Sequence, residues 1–369
     1  MSELSNLVVD LDERFDVAAA APAGIELGAA SIDDATLAWI DETFGGWWSS
    51  EAFAGANVVA RRAGRTVGFA TYDARDFRYA WLAGAAREPG TGIFGPFGVA
   101  PDERGGELGR VLLHRALAGL RERGYSRALI PAVGDERLIR FYADAADARV
   151  AERFEKRALM GPRVRALVMA SGSGTNLQAV LDRSRDGSLP LDVAAVVVNV
   201  PGAYALERAR AAHVPSIFEL PWRRLERTRA EYDAELLEVV RAENPDLVLL
   251  LGWMHLLGEP FVRAFPNLLN VHPAFLPLDP ARDDVGVPDG SRIPAFRGAH
   301  AVRDAFAAGS AWIGATVHVV TPATDRGPVL ARKPLRLLEG ESQADALARL
   351  HPIEHELVAA GIRRWLYER

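Results

Sequence analysis

The chain has 369 residues, 49% of them hydrophobic and 25% charged, which predicts a soluble globular protein of two domains. A formal net charge of −6 gives no electrostatic reason to expect nucleic acid or an anionic membrane as a partner, and the lack of cysteine excludes disulfides, thiolate metal sites and cysteine nucleophiles. The sequence shows neither an export signal nor an apolar run long enough to span a bilayer, so we expect a cytoplasmic protein whose partners are small molecules.

The first 160 residues predict a small α/β domain that follows an arm. Residues 1–23 join an acidic stretch to an alanine-rich segment and are interpreted as an N-terminal arm or linker, which places the first domain at residues 24–160. Apolar patterning predicts a hairpin of strands at 57–62 and 66–72, a strand at 92–99, a helix from Leu108, a strand at 128–133 and a helix at 136–146.

A glycine-rich turn, Arg104-Gly105-Gly106-Glu107-Leu108-Gly109, lies between the predicted strand at 92–99 and the helix that follows. The backbone N–H groups of such a turn, together with the positive end of a helix, are suited to binding phosphate. In this order of strand, turn and helix the region resembles the GNAT-type acetyltransferases.

That resemblance implies a site for the pyrophosphate of acetyl-CoA and a general acid. The implied CoA-binding residues are Val99, Arg104, Gly105, Gly106 and Gly109. Tyr142 matches the position of the acid, with packing in the core as the alternative interpretation. Glu107 stands where the family has glycine, and its carboxylate would repel a pyrophosphate. An active acetyl-CoA enzyme, a degenerate or regulatory domain and a binder of another acyl-CoA therefore all stay open.

The second half predicts a different α/β domain. The segment Met160-Gly161-Pro162 is typical of a joint, and the second domain is placed at residues 163–369. Strands and helices alternate from Val164 to His272, and the continuous apolar runs at 193–198 and 247–251 are typical of parallel strands buried on both faces. We predict a Rossmann-like, doubly wound and mostly parallel sheet that binds its ligands at the carboxyl ends of the strands.

A second glycine-rich loop, Ser171-Gly172-Ser173-Gly174-Thr175-Asn176, follows the first strand of this domain. The backbone amides of Gly174, Thr175 and Asn176 precede a helix and are expected to hold a phosphate. The loop lacks the third glycine of a dinucleotide fingerprint and the lysine of a P-loop. We therefore expect a monophosphate ester rather than a nucleotide.

Asn270 and His272 end another apolar strand, and alternate residues of a strand project to the same face. An amide beside an imidazole can stabilise charge that develops on a carbonyl oxygen. Asp325 lies in a later loop between two predicted strands, and a carboxylate near His272 would raise the pKa of the imidazole and favour imidazolium. The scattered histidines do not form a metal-binding pattern.

Three motifs together resemble the phosphoribosylglycinamide formyltransferases over nearly all of residues 163–369: the loop at 171–178, Asn270-Val271-His272-Pro273 with Leu276-Pro277, and Asp325-Arg326-Gly327-Pro328-Val329. The resemblance implies transfer of a formyl group from 10-formyltetrahydrofolate to the amine of phosphoribosylglycinamide, a step of purine biosynthesis, without a covalent intermediate on the enzyme.

The same resemblance assigns roles to individual residues. It implies that Asn270, His272 and Asp325 are catalytic, that Gly174, Thr175 and Asn176 bind the substrate phosphate, and that Glu354 lies near the glycinamide and the ribose. The implied folate-binding residues are Arg229, Met254, His255, Leu256, Leu257, Asn270, Thr321, Pro322, Ala323 and Thr324.

This chain departs from the family pattern at three places. Arg326 stands where glycine is frequent and is expected to clash with, or to pair with, an anionic substrate. His255 stands where an arginine is common. Residues 281–295 are an insertion at the loop that covers the site, for which we predict a hairpin with Asp289-Gly290 in its turn.

Other functions are compatible with parts of this pattern. One is formyl transfer to another amine or phosphorylated amine, or to an amino sugar. The phosphate loop argues against this alternative, whereas the insertion and Arg326 favour it. Another is hydrolysis of 10-formyltetrahydrofolate, and a third is a catalytically idle sensor of CoA and a phosphoribosyl ligand. A sensor gains little from burying an imidazole and a carboxylate. The oligomeric state, including a homo-oligomer, is left open.

Overall fold

The computed structural model of this protein describes residues 3–15, 20–29, 32–74, 77, 79–82, 84–222 and 225–369. The chain divides into two units. The first comprises Met1–Phe44, Trp48–Gly161 and Trp365–Arg369, and the second comprises Gly45–Trp47 and Pro162–Arg364. In these described ranges no helix combines the length and the apolar character that crossing a membrane requires.

The first unit is a twisted sheet with helices packed on it. Its elements are β1 (Glu3–Asp10), β2 (Glu26–Ala29), α1 (Asp34–Thr43), α2 (Trp48–Ala54), β3 (Ala56–Arg62), β4 (Arg65–Tyr72), β5 (Thr91–Val99), α3 (Leu108–Glu122), β6 (Arg127–Val133), α4 (Glu136–Ala146) and β7 (Arg149–Glu155). The strand order is β2-β3-β4-β5-β6-β1-β7. The predicted hairpin is confirmed, since β3 and β4 pair antiparallel.

The prediction of an N-terminal arm is wrong over Glu3–Asp10. This segment is β1, which pairs antiparallel with both β6 and β7 and lies between them. Leu7 and Val9 are fully buried in the core of the unit. The acidic residues that suggested a solvated arm lie at the ends of the strand, and the apolar residues between them supply the buried faces. Residues 1–2 and 16–19 of the predicted arm lie outside the described residues.

Helix α3 carries the largest apolar face of this unit. Leu112, Leu113 and Leu117 are fully buried there. Burial of such side chains contributes roughly 2 kcal/mol each, so this face holds the helix on the sheet. Strands β5 and β6 form parallel backbone pairs at residues 91–93 and 127–129. The turn at 104–107 lies beyond the carboxyl end of β5 and directly before α3, which begins with Leu108 and Gly109.

The second unit is a seven-stranded sheet flanked by helices. Its elements are β8 (Val164–Ala170), α5 (Thr175–Arg185), β9 (Leu191–Val198), α6 (Tyr204–Ala211), β10 (Ser216–Glu219), α7 (Arg229–Ala242), β11 (Leu247–Leu250), α8 (Glu259–Ala264), β12 (Leu268–His272), β13 (Asp284–Gly286), β14 (Arg292–Pro294), α9 (Ala301–Ala307), β15 (Trp312–Val319), β16 (Val329–Arg336) and α10 (Gln343–Tyr367).

The sheet of the second unit confirms the predicted mostly parallel fold. Its order is β10-β9-β8-β11-β12-β15-β16, with parallel pairing from β10 to β12 and antiparallel pairing of β15 with β12 and β16. Every residue of β11 is buried, as expected for a strand covered on both faces. Because β8 and β12 run in the same direction on either side of β11, their carboxyl ends meet at one edge of the sheet.

The insertion forms the predicted hairpin. Strands β13 and β14 pair antiparallel, and Gly290 N–H donates to Val287 O at 2.9 Å across the turn. Gly290 has a φ of 85°, a left-handed conformation that glycine adopts without a Cβ clash. Asp289 precedes it and accepts a hydrogen bond from Trp312 Nε1 at 2.8 Å, which ties the turn to β15.

Candidate active site

Asn270 and His272 lie at the carboxyl end of β12 and alternate with buried residues along it. His272 is buried, and Pro273 follows it and ends the strand. The turn after the proline is held from β15: Thr316 Oγ1 donates to Ala274 O at 2.7 Å and accepts from Leu276 N–H at 3.0 Å. The strand end that carries the imidazole is therefore fixed by its neighbouring strand.

The structure brings Asp325 to His272, as the sequence predicts. His272 Nδ1 lies 3.6 Å from Asp325 Oδ2, and the two side chains are only 5% and 10% exposed. On the other side of the ring, His272 Nε2 donates to Phe296 O at 2.7 Å. Gly298 N–H donates to Asp325 Oδ2 at 2.7 Å. Both side chains are thus held by the segment that follows the insertion.

Burial lowers the pKa of His272 below its ordinary range, although the charge of Asp325 opposes this shift. The expectation of an imidazolium ring is therefore wrong. The carboxylate has the expected effect, but desolvation of a fully enclosed ring outweighs it, and a neutral imidazole that still has one N–H to donate is favoured. A sequence does not reveal how completely a side chain is enclosed.

Asp325 itself remains ionised far into the acid range. Burial alone would raise its pKa, but the hydrogen bond with His318, the neighbouring His272 ring and the N–H of Gly298 outweigh burial and hold the pKa of this carboxyl well below its ordinary value. The site therefore combines a carboxylate with a neutral imidazole at pH 7.

His318 is a member of the cluster that the sequence analysis missed. It is the residue of β15 that pairs with Asn270 of β12. Its Nε2 atom lies 3.2 Å from Asn270 Nδ2 and 3.5 Å from Asp325 Oδ1, and its Nδ1–H donates to Val319 O at 2.9 Å. The signal was available, because a polar residue at the end of an apolar strand directly before the Asp325 loop is the same pattern that selected Asn270 and His272.

The phosphate loop has the predicted geometry for an anion site. Gly174 is the N-cap of α5 and has a φ of 69°, and a Cβ there would lie 2.9 Å from the backbone of Ala205. Only glycine avoids both the strain and the clash. Arg208 Nε donates to Ser173 O at 2.8 Å and so fixes the loop. The amides of Thr175 and Asn176 begin the helix, where the helix dipole favours an anion.

Glu354 joins the phosphate loop from α10. Asn176 Nδ2 donates to Glu354 Oε2 at 3.2 Å, and both side chains are buried. Burial raises the pKa of Glu354 to about 7, with the hydrogen bond from Asn176 opposing the shift. The structure therefore brings the predicted substrate-binding carboxyl group to the predicted phosphate loop, in a state that can carry or release a proton near neutral pH.

Eight of the ten predicted folate-binding residues lie in two loops, whereas Arg229 begins α7 and Asn270 lies on β12. Met254 and Leu256 follow β11 and are 49% and 66% exposed, so this segment presents apolar side chains to solvent. Arg229 donates to Leu256 O, pairs with Asp233 at 2.7 Å and lies over the ring of Trp222 at 5.1 Å. Its guanidinium therefore orients the 254–257 segment.

The second predicted loop, Thr321-Pro322-Ala323-Thr324, connects β15 to Asp325. Thr321 Oγ1 donates to Ala323 O at 3.1 Å, and Arg326 N–H donates to the same carbonyl at 3.2 Å. Pro322, Ala323 and Thr324 are exposed.

Comparison with known families agrees with this geometry. Residues 164–278 and 289–362 match the formyl transferase family, which is slightly more than half of the chain. The chain belongs to the formyl transferase family. Residues 30–146 match the acetyltransferase (GNAT) family. The gap between the two formyl transferase segments overlaps the insertion at 281–295.

Three similar proteins illustrate the formyl transferase match. The chain is 30% identical over 200 residues to phosphoribosylglycinamide formyltransferase of Bacillus subtilis, covering 54% of this chain and 93% of that protein. It is 34% identical over 196 residues to trifunctional purine biosynthetic protein adenosine-3 of Drosophila melanogaster, covering 52% of this chain but only 13% of that protein. The crystal structure of glycinamide ribonucleotide transformylase 1 from Symbiobacterium toebii is 37% identical and covers 56% of this chain and 89% of that chain, with a TM-score of 0.48.

The glycine-rich turn of the GNAT-matched unit is open to solvent. Gly105 has a φ of 85°, and a Cβ on Gly105 or Gly106 would meet no atom within 4 Å. Arg104 Nε donates to Val99 O at 3.0 Å, so this side chain folds back on the end of β5. Glu107 is the N-cap of α3 but makes no side-chain capping hydrogen bond, which leaves its carboxylate at the end of the helix that would receive a phosphate.

Tyr142, the predicted acid of the GNAT-matched unit, is only 6% exposed and belongs to the hydrophobic core. Its ring lies edge-on to Phe94, with 6.1 Å between centroids. Burial raises the pKa of its hydroxyl far above the ordinary value. These surroundings support the core interpretation. Across the described ranges of both units, no group of three or more His, Cys, Asp or Glu side chains could hold a metal ion.

Proposed function

We propose that the second unit transfers a formyl group from 10-formyltetrahydrofolate to the amine of phosphoribosylglycinamide. The observation that carries this proposal is the cluster at the end of β12, where His272 Nδ1 lies 3.6 Å from Asp325 Oδ2 with Asn270 beside them. The cluster shares a sheet edge with the Gly174 turn at the end of β8. A formyl-transfer centre beside a phosphate site fits a phosphorylated amine as acceptor.

Each residue of the cluster has its own role in the proposed reaction. The amine nitrogen attacks the formyl carbon, a C–N bond forms, and the formyl oxygen takes the electron pair. The N–H groups of Asn270 and His272 donate to this oxyanion, for which the His272 N–H exchanges its present acceptor, Phe296 O. Asp325 stabilises the positive charge on the attacking nitrogen. That nitrogen then loses its proton, and N10 of tetrahydrofolate leaves as it gains one, with water as the carrier.

Substrate binding uses the neighbouring strand end. The amides of Gly174, Thr175 and Asn176 receive the phosphate, and Glu354 contacts the ribose and the glycinamide. The contact of Asn176 with Glu354 at 3.2 Å supports a single subsite for both parts of the substrate. Met254, Leu256 and the exposed loop at 321–324 border the folate, and Arg229 keeps the 254–257 segment in place.

Arg326 is not expected to select a formyl acceptor other than phosphoribosylglycinamide. Its guanidinium pairs with Asp283 and donates to Pro280 O at 2.6 Å. The side chain is therefore engaged within the protein, and the argument that it selects another anionic substrate loses its basis.

Steady-state assays of the full-length protein with 10-formyltetrahydrofolate and a panel of acceptors test this proposal. The panel contains phosphoribosylglycinamide, the same compound without its phosphate, an amino-sugar phosphate and water alone. We expect phosphoribosylglycinamide to have the highest kcat/KM, and removal of its phosphate to lower kcat/KM by roughly 100-fold or more, because charge-assisted contacts are lost. A preference for the amino sugar, or formate release that needs no amine, would contradict the proposal.

For the first unit we propose an acyl-CoA site at the turn of residues 104–109, weakened by Glu107. Calorimetry with acetyl-CoA on the full-length protein tests this site. Glu107→Gln removes the repelling charge at the start of α3 and is expected to tighten binding about five-fold, the range of charge effects at a helix N-terminus. Glu122→Gln, at the other end of the same helix, is the matched control and is expected to leave affinity unchanged. Absence of binding by all three proteins at millimolar ligand would exclude the site.

A further inference from the structure

Arg297 follows the insertion and connects it to the candidate active site. Its side chain is only 13% exposed. Each of its three guanidinium nitrogens donates to a different acceptor: Nε to Asp325 O at 3.2 Å, one terminal nitrogen to Asp283 Oδ1 at 2.9 Å, and the other to Arg282 O at 2.7 Å. One end of the guanidinium therefore holds the backbone of the catalytic aspartate, and the other end is held by the insertion.

The backbone of Asp325 needs such support. Its φ is 52°, in the left-handed region, which is uncommon for a residue with a side chain, although aspartate enters it more readily than most. Two consecutive residues impose it here. Arg297 donates to the main-chain carbonyl of Asp325, and Gly298 N–H donates to its carboxylate at 2.7 Å. Loss of the Arg297 contact would leave Asp325 held through its carboxylate and no longer through its backbone carbonyl.

The outer end of the link belongs to a segment that lies outside the two matched formyl transferase segments. Asp283 pairs with both Arg297 and Arg326, and it lies in the gap between the two matched segments. Arg326 is the residue directly after the catalytic aspartate. The insertion therefore contacts the Asp325 loop at two successive positions. It reaches the carbonyl of Asp325 through Arg297, and it pairs directly with the side chain of Arg326.

We propose that Arg297 is a positioning residue, which holds Asp325 in its left-handed conformation and is itself aligned by the insertion through Asp283 and the carbonyl of Arg282. This inference rests on the proposed formyl transfer, because it assigns Asp325 its catalytic role. Arg297 acts through Asp325 and not by touching the substrate, since each of its three guanidinium nitrogens donates to a protein acceptor and its side chain is only 13% exposed. The insertion at 281–295 and Arg326, two of the places where this chain departs from the family pattern, then act together to hold the Asp325 loop.

Steady-state kinetics of Arg297→Ala and Arg297→Lys test the role. We expect Arg297→Ala to lower kcat per folded molecule by roughly 10- to 100-fold with both KM values within about three-fold of the wild type, since misplacement of a catalytic group by about 1 Å costs rate and not substrate affinity. Arg297→Lys keeps one donor for Asp325 O and is expected to lie between Ala and the wild type. Arg303→Ala, an exposed arginine on α9 that pairs with Asp304, is the matched control and is expected to keep wild-type kcat.

The contact of Arg297 with Asp283 gives a second test, in which a smaller loss of kcat is expected and the buried arginine itself is not replaced. Asp283 is 77% exposed, so Asp283→Asn should fold and should lower kcat by only about two- to five-fold, because Arg282 O still holds Arg297. A wild-type kcat in Arg297→Ala, or a larger loss in Asp283→Asn than in Arg297→Ala, would overturn the inference.

Failure of the proposed function would be recognised separately. If the wild type transfers no formyl group, the function fails, and crystal structures of the wild type and Arg297→Ala then test positioning alone. We expect φ of Asp325 to leave the left-handed region in the variant. An unchanged Asp325 backbone would overturn the positioning role whatever the activity.

Discussion

Asn270 and His318 face each other across β12 and β15, with Asn270 Nδ2 3.2 Å from His318 Nε2. The other ring nitrogen of His318, Nδ1, donates to Val319 O at 2.9 Å, so the ring that faces the amide of Asn270 is itself held in place. We propose that the contact with His318 orients the amide of Asn270 for the oxyanion of the proposed formyl transfer. We expect His318→Ala to lower kcat about ten-fold or more with little change in the KM for either substrate. Unchanged kcat in this variant would exclude the orienting role.

The charge of Asp325 opposes the lowering of the His272 pKa by burial. Asp325→Asn removes the charge and keeps the size of the side chain. The pKa of His272, already below its ordinary range, should therefore fall further in the variant. Nitrogen NMR of the imidazole as a function of pH measures this directly. A higher pKa in Asp325→Asn than in the wild type would contradict the electrostatic account.

Glu354 makes the stability of the protein depend on pH. Its folded-state pKa of about 7 lies above the ordinary 4.5, so the native state binds the proton more tightly than the unfolded state does. The corresponding stability, about 3 kcal/mol, is fully present below pH 4.5 and is lost as pH rises through 7. Glu354→Gln should remove this contribution. Denaturant unfolding at pH 5 and pH 8 checks the prediction, and an equal pH dependence in both proteins would refute it.

Gly327, in the motif that carries Asp325, has no room for a side chain. A Cβ there would overlap the carbonyl oxygen of Val319 on β15. We expect Gly327→Ala to lower the free energy of unfolding by about 2 kcal/mol or more, because the strand and the loop must separate. Gly172→Ala is the matched control, since a Cβ at Gly172 meets no atom within 4 Å and should change stability by less than about 0.5 kcal/mol. Equal unfolding midpoints for the two variants would be inconsistent with the clash.

The sheet of the second unit could be predicted because its strands are continuous apolar runs. The proximity of His272 and Asp325 could be predicted because both lie in motifs that resemble those of one enzyme family. β1 could not be predicted as easily. Its apolar residues are few and stand between acids, and only pairing with β6 and β7, distant in sequence, makes it a strand.

The site predicted from the sequence was incomplete because several of its features depend on contacts between residues that are distant in sequence. His318 lies at the end of an apolar strand and could have been selected, but its role depends on the register of β15 with β12, which places it opposite Asn270. The sign of the His272 pKa depends on how fully tertiary packing encloses the ring. The link from Arg297 to Asp325 joins residues 28 apart through a backbone carbonyl, and no side-chain pattern encodes such a contact.

The most direct test of the central claim is the turnover of His272→Ala with 10-formyltetrahydrofolate and phosphoribosylglycinamide, measured beside the wild type. His213→Asn is the matched control, because His213 is exposed and has a φ of 54°, which asparagine tolerates. We expect a loss of roughly 1,000-fold in kcat for His272→Ala, retained binding of the phosphorylated substrate, and wild-type turnover for His213→Asn. Wild-type turnover in His272→Ala would rule out the catalytic role of His272.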